Sequence, residues 1–216
     1  MIETGNIEEA VSVLLEAIRK QSKSGTLVVI LARAYHAQGN LAESKGALWR
    51  ALKLDPNQAN GVEWWASQAL EKGGRDAYEA ALNEIVAIDG AWRPQLWLGR
   101  LALEEKKIKK AMTYYKDVFC RIESVPAEVA TQVSGDLGKA GQMEEMIEFF
   151  GSPFDGKLWG ILTGNNVVSA FCSLGKADEA QQVVKDLEEL GNPQWESHIA
   201  FMKELIDDHR NSGPSV

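Results

Sequence analysis

Five glycines, Gly5, Gly39, Gly73, Gly141 and Gly175, fall on one ladder of 34-residue steps, with Lys107 on the rung between Gly73 and Gly141. A period of this length confines the chain to repeated supersecondary units, each burying its apolar face against a neighbour. Every rung opens a short turn: Gly5-Asn6, Gly39-Asn40, Gly73-Gly74, Lys107-Ile108, Gly141-Gln142 and Gly175-Lys176. Five residues beyond the glycines stand Ala10, Ser44, Tyr78, Met146 and Ala180; in the fourth repeat Ala111 comes one place early. Nine residues beyond stand Leu14, Leu48, Leu82, Phe150 and Val184, with Tyr115 in the slipped repeat.

The unit is helix–turn–helix. After each turn apolar residues recur at helical spacing, as in Leu41, Ala47, Leu48, Ala51 and Leu52, or Ala177, Ala180, Val183, Val184 and Leu187. Before the turn Leu27, Leu31, Ala34 and Tyr35 behave likewise. Glycine suits the junction because it reaches left-handed angles freely and closes the preceding helix. Asp55-Pro56 and Asn192-Pro193 mark helix starts. Val28-Val29-Ile30 is the best strand candidate, but it lies inside a helical register.

These residues resemble the tetratricopeptide repeat. The second repeat carries the likeness best, with Leu31, Ala32, Tyr35, Gly39, Ser44, Leu48, Ala51 and Pro56; the fourth offers Leu98-Gly99, Ala102, Ala111, Tyr115 and Val118. Tyr78 and Ile85 in the third repeat and Met146 in the fifth depart from the small residues of the pattern. Sel1-like and pentatricopeptide repeats overlap with it and stay open as alternatives. The resemblance implies an all-α fold, a right-handed superhelical solenoid of helix-turn-helix repeats spanning residues 1–210 as one domain.

The first repeat begins at its second helix, which would expose Val11, Leu14, Leu15 and Ile18. The chain is therefore expected either to be cut from a longer array or to have this end covered by another chain. Residues 193–210 are expected to form a capping helix, with Trp195, Ile199, Met202 and Ile206 on one face, and residues 211–216 a disordered tail. The glycine- and proline-containing break at 151–164 is expected to be a longer loop or kink, or else a hinge or a contact loop presenting Phe154 and Trp159.

No catalytic constellation is apparent. His36, His198 and His209 have no convincing metal spacing, and Cys120 and Cys172 lie 52 residues apart, so neither a zinc site nor a disulfide framework is supported. Gly135-Asp-Leu-Gly138-Lys-Ala-Gly141 lacks the Gly-Lys-Ser/Thr ending of a phosphate loop. Pairs such as Glu104-Glu105 and Glu188-Glu189 suit solvated helix faces. The expectation is no enzyme, no metal and no cofactor. With 23 Lys and Arg against 31 Asp and Glu, the net charge is −8 and the pI near 5.0, which opposes nucleic-acid binding. The basic cluster Lys106, Lys107, Lys109 and Lys110 sits at a turn and suits a solvated face. No signal peptide or membrane span is visible, so a cytoplasmic protein is expected.

The resemblance implies a non-catalytic scaffold whose concave groove, lined by the first helix of each pair, binds a peptide or helix of another protein. Carried over by register, the groove positions are Val29, Arg33 and His36, then Glu63 and Ser67, Leu96, Arg100 and Glu104, Thr131 and Lys139, and Asn165 and Ser169. Val29 and Arg33 stand where relatives gripping acidic chaperone tails carry Lys and Asn, so that adaptor role is not expected. Arg33, Arg100 and Lys139 either meet a carboxylate-bearing peptide or are solvated and paired with Glu63 and Glu104. Of seven tryptophans most suit packing; Trp65 takes the buried register, which turns adjacent Trp64 towards a surface as a contact candidate. The alternative is an assembly segment of a larger repeat protein, stacking or dimerising through its N-terminal half-repeat.

Overall fold

The turn glycines end helices by a repeated backbone device. Gly39 (φ 79°), Gly141 (φ 70°) and Gly175 (φ 70°) take left-handed angles. The amide that follows each bonds back to a carbonyl five residues earlier: Asn40 to Tyr35, Gln142 to Leu137 and Lys176 to Phe171, each at 2.9 Å. This is the Schellman closure. In the fourth repeat the left-handed residue is Lys106 (φ 58°), one before the rung, with the Lys107 amide bonded to the Ala102 carbonyl at 2.8 Å. The one-place slip of Ala111 and Tyr115 thus begins in the turn itself. In the third repeat it is Gly74 (φ 68°, ψ −158°), not Gly73, that turns the chain.

A computed structural model describes residues 7–122, 125–151 and 153–212. Its helices are α1 (Ile7–Lys20), α2 (Gly25–Ala37), α3 (Leu41–Leu54), α4 (Ala59–Val86), α5 (Arg93–Glu104), α6 (Ile108–Arg121), α7 (Ala127–Lys139), α8 (Met143–Phe150), α9 (Gly156–Ser173), α10 (Ala177–Glu188) and α11 (Glu196–Ser212). Helix α4 breaks at Gly74 into the two arms of one repeat, and α9 breaks at Gly160 (φ 75°). No strand occurs among the described residues, and Val28–Ile30 lies within α2. The fold is all-α, made of helix-turn-helix repeats. Gly5-Asn6 and residues 213–216 lie outside the described residues, while Asn211 and Ser212 close α11.

By their packing, the residues up to Gly99 with Thr113–Ile122 form one unit, and Arg100–Met112 with the residues after Ile122 form a second. In the first, Leu48 and Ala51 of α3 bury against Val28, Leu31 and Ala32 of α2, and Ile18 of α1 joins them. Leu52, Val62, Leu82, Ile85 and Leu98 form the next layer. Helices approach closely where the register puts a small residue. Ser44 is buried and donates its hydroxyl to the Ala32 carbonyl at 2.8 Å. A Cβ on Gly99 would come within 2.5 Å of the fully buried Tyr115 ring.

In the second unit Val133 and Leu137 of α7, Met146 and Phe150 of α8, Val167 and Phe171 of α9, Val184 and Leu187 of α10, and Met202 and Ile206 of α11 are all buried. The segment after α8 is a kinked entry into α9. Asp155 caps it by accepting from the Leu158 amide at 2.9 Å, Phe154 is buried, and Trp159 meets Phe150 edge-on at 5.5 Å. Phe154 is therefore a core residue and no contact loop.

Candidate functional site

The first unit gathers one cluster from the face that α2 and α4 share. Arg33 and His36 lie one helical turn apart on α2, and Glu63, Trp64 and Ser67 lie at matching spacing on the first arm of α4. With Ala37 and Asn60 they line a shallow cleft of about 480 Å³. The Trp64 ring stands edge-on to His36, centroids 5.6 Å apart and planes at 87°. Arg33 and Glu63 are exposed, and neither makes an ion pair among the described residues. The cleft thus offers a free guanidinium, a free carboxylate and an aromatic wall.

The second unit holds a separate cleft lined by Arg100, Leu103, Glu104, Asp136, Lys139 and Ala140. Arg100 is engaged within it. Its Nε donates to Asp136 Oδ1 and its Nη2 to Oδ2, both at 3.0 Å, in the parallel two-bond geometry that makes such pairs strong. Asp136 is 9% exposed, and the guanidinium satisfies it. Lys139 is exposed and makes no ion pair among the described residues. Thr131, Asn165 and Ser169 sit in bonds between or within helices instead of facing a cleft freely. Thr131 and Thr163 hydroxyls are 3.3 Å apart, Asn165 Nδ2 donates to His198 Nδ1 at 2.7 Å, and Ser169 donates to the Asn165 carbonyl at 2.9 Å.

Two expected groove positions are core. Val29 is 2% exposed, within the layer that holds Ile18 and Leu48, and Leu96 is 1% exposed. The two adjacent tryptophans share burial more evenly than their register suggests. Both are half-buried, Trp64 against the layer around α2, and Trp65 bridging two layers while lying 4.8 Å from Trp49. The bond from Arg100 to Asp136 left no trace in the linear pattern, since its partners are 36 residues apart.

A tetratricopeptide repeat model matches residues 27–58. Residues 27–58 are a tetratricopeptide-type repeat. A PPR repeat model matches residues 165–192, so the second unit contains a repeat of the related kind. No curated protein matches the chain. Among solved structures, a chain of the APC/C hetero-tetramer Cut9-Hcn1 aligns with 97% of this chain at 14% identity and a TM-score of 0.44. This chain spans 41% of that neighbour's length. The match at 27–58 contains Arg33 and His36, which places the α2 side of the α2–α4 cluster on a tetratricopeptide-type repeat. Among the described residues no group of His, Cys, Asp or Glu is placed to hold a metal, and no helix is long and apolar enough to cross a membrane.

Proposed function

We propose that the chain is a non-catalytic protein-interaction scaffold that holds a peptide or helical segment of a partner against the first helices of its repeats. In the first unit the contact residues are Arg33, His36, Glu63, Trp64 and Ser67; in the second they are Lys139 and Glu104, with Arg100, Thr131, Asn165 and Ser169 shaping the surface. The single observation behind this reading is the α2–α4 cleft, where an unpaired arginine and an aromatic wall converge. Arginine and tryptophan are the side chains most often responsible for interface energy. Arg33 is the natural anchor for a partner carboxylate, and Glu63 beside it selects against a second acid at the neighbouring position.

The test uses Arg33→Glu and Lys139→Glu, each on the exposed rim, and leaves Arg100 alone because reversing its charge would set two carboxylates together. Crosslinked capture followed by mass spectrometry is expected to lose a defined partner with Arg33→Glu. An identical captured set from wild type and both variants would overturn the groove assignment. A second reading, self-assembly, draws on exposed apolar side chains: Val13 (49% exposed) and Leu15 of α1, and Phe201 (55%) of α11. Phe201 stands in register with Leu31, Val133 and Val167, which are all buried. A molar mass that does not change with concentration in light scattering would count against it.

A further inference from the structure

The repeat that contains α4 exchanges large and small residues. At the step where other repeats carry Tyr35, Leu137 and Phe171, it carries Ala69, while bulky Tyr78 takes the place of Ser44 and Ala180. Tyr78 packs into the core layer. Ala69 instead lines a notch of about 410 Å³ between the two arms of α4, away from Arg33 and Trp64. Its floor is apolar, made of Trp65, Ala69, Ala77 and Ala81.

The rim is charged. Lys45 of α3 lies over the Trp65 ring at 5.5 Å, and Lys72 closes the opposite arm. Neither lysine makes an ion pair among the described residues. The acid at the rim, Glu84, already accepts the Trp65 indole N–H at 3.1 Å. With two ammonium groups and one carboxylate, the rim keeps a net positive charge on a chain whose own net charge is −8. Water solvates such ammonium groups well, so the hollow gains most from a ligand that buries an apolar side chain and sets carboxylates beside the lysines.

We propose that this notch is a second protein-docking surface, taking one aliphatic side chain flanked by acidic residues on a partner's peptide. The aliphatic group enters over Ala69 and Ala81, and the flanking carboxylates meet Lys45 and Lys72. This surface shares no residue with the α2–α4 cleft and does not depend on that assignment.

The experiment titrates the ¹⁵N-labelled chain with the synthetic peptide acetyl-Asp-Glu-Leu-Asp-Glu-amide. The Trp65 indole N–H, assigned by its absence in Trp65→Phe, reports occupancy directly. The expected result is movement of that signal together with the Ala77, Ala80 and Ala81 amides, and none when Leu in the probe is replaced by Ser. The double variant Lys45→Glu, Lys72→Glu is expected to raise Kd about tenfold, by like-charge repulsion. Ala80→Glu, on an exposed helical site, gives an independent block; circular dichroism checks that both variants fold. A stationary Trp65 signal at millimolar probe would overturn the proposal. So would an equal loss of binding in Lys23→Glu, a lysine away from the notch, or a response to oligouridine and not to the peptide.

Discussion

Lys106 holds a backbone conformation that costs a lysine energy. Its φ of 58° lies in the left-handed region that Gly39, Gly141 and Gly175 occupy in the corresponding turns. A residue with a Cβ crowds the following carbonyl there, and glycine does not. Exposed and free of an ion pair among the described residues, Lys106 gains nothing visible in exchange. Lys106→Gly is therefore expected to stabilise the chain by roughly 0.5–1 kcal/mol, after allowing for the greater freedom glycine brings to the unfolded state. A urea midpoint that rises with unchanged slope would show it; a fall would mean that the lysine side chain holds the turn. The linear pattern already carried a sign of this residue. Ala111 and Tyr115 come one place early, and a helix that starts early needs its turn to end early. What spacing alone could not assign was which residue takes the strained angle, because Lys106 and Lys107 are chemically alike and only the closing bond to Ala102 separates them.

Between elements, the bond that matters most for reading the candidate site joins α5 to α7. Arg100 stands in the register of a groove residue, yet both of its parallel bonds go to Asp136, which is 9% exposed. Replacing Arg100 by Glu would leave a nearly buried carboxylate facing a second one. The expected loss is about 2–3 kcal/mol, less than for a fully buried pair because Arg100 itself is 44% exposed. Adding Asp136→Asn should recover part of that loss in thermal unfolding, since the repulsion is then removed; no recovery would show that the arginine acts by packing alone. The example explains how far the site was legible. Arg33, His36, Glu63, Trp64 and Ser67 share a cleft because residues three and four apart on neighbouring first helices face the same way, which periodicity reports. Arg100 and Asp136 meet across two repeats, and Asp136 lay in a glycine-rich stretch where its only visible feature was the lack of a phosphate-loop ending. Val29 and Leu96 failed as groove positions for a similar reason. Register along one helix says which way a side chain points, whereas burial depends on how near the next repeat comes.

Across the whole molecule, charge and apolar exposure oppose each other. Leu41 is 62% exposed, Phe201 55%, Leu162 49% and Leu70 46%, on a chain whose net charge is −8. At neutral pH that charge opposes the close approach of copies, while the exposed apolar side chains favour it. The balance moves with protonation. The sequence pI is near 5.0, where the repulsion vanishes while the exposed leucines remain. Light scattering is therefore expected to rise as pH falls from 7 towards 5 and to fall again below it, as Lys and Arg take over with net positive charge. Salt separates the contributions. At pH 7, screening shortens the reach of the repulsion to about 3 Å at 1 M, so moderate association should appear there as well. Substituting Phe201→Ser and Leu41→Ser should flatten the maximum near pH 5 without moving its position, since the position follows the ionisable groups and the height follows the apolar ones. A maximum unchanged in height would mean that the exposed apolar side chains do not make the contacts, and that other surfaces bring the copies together once their charge is gone.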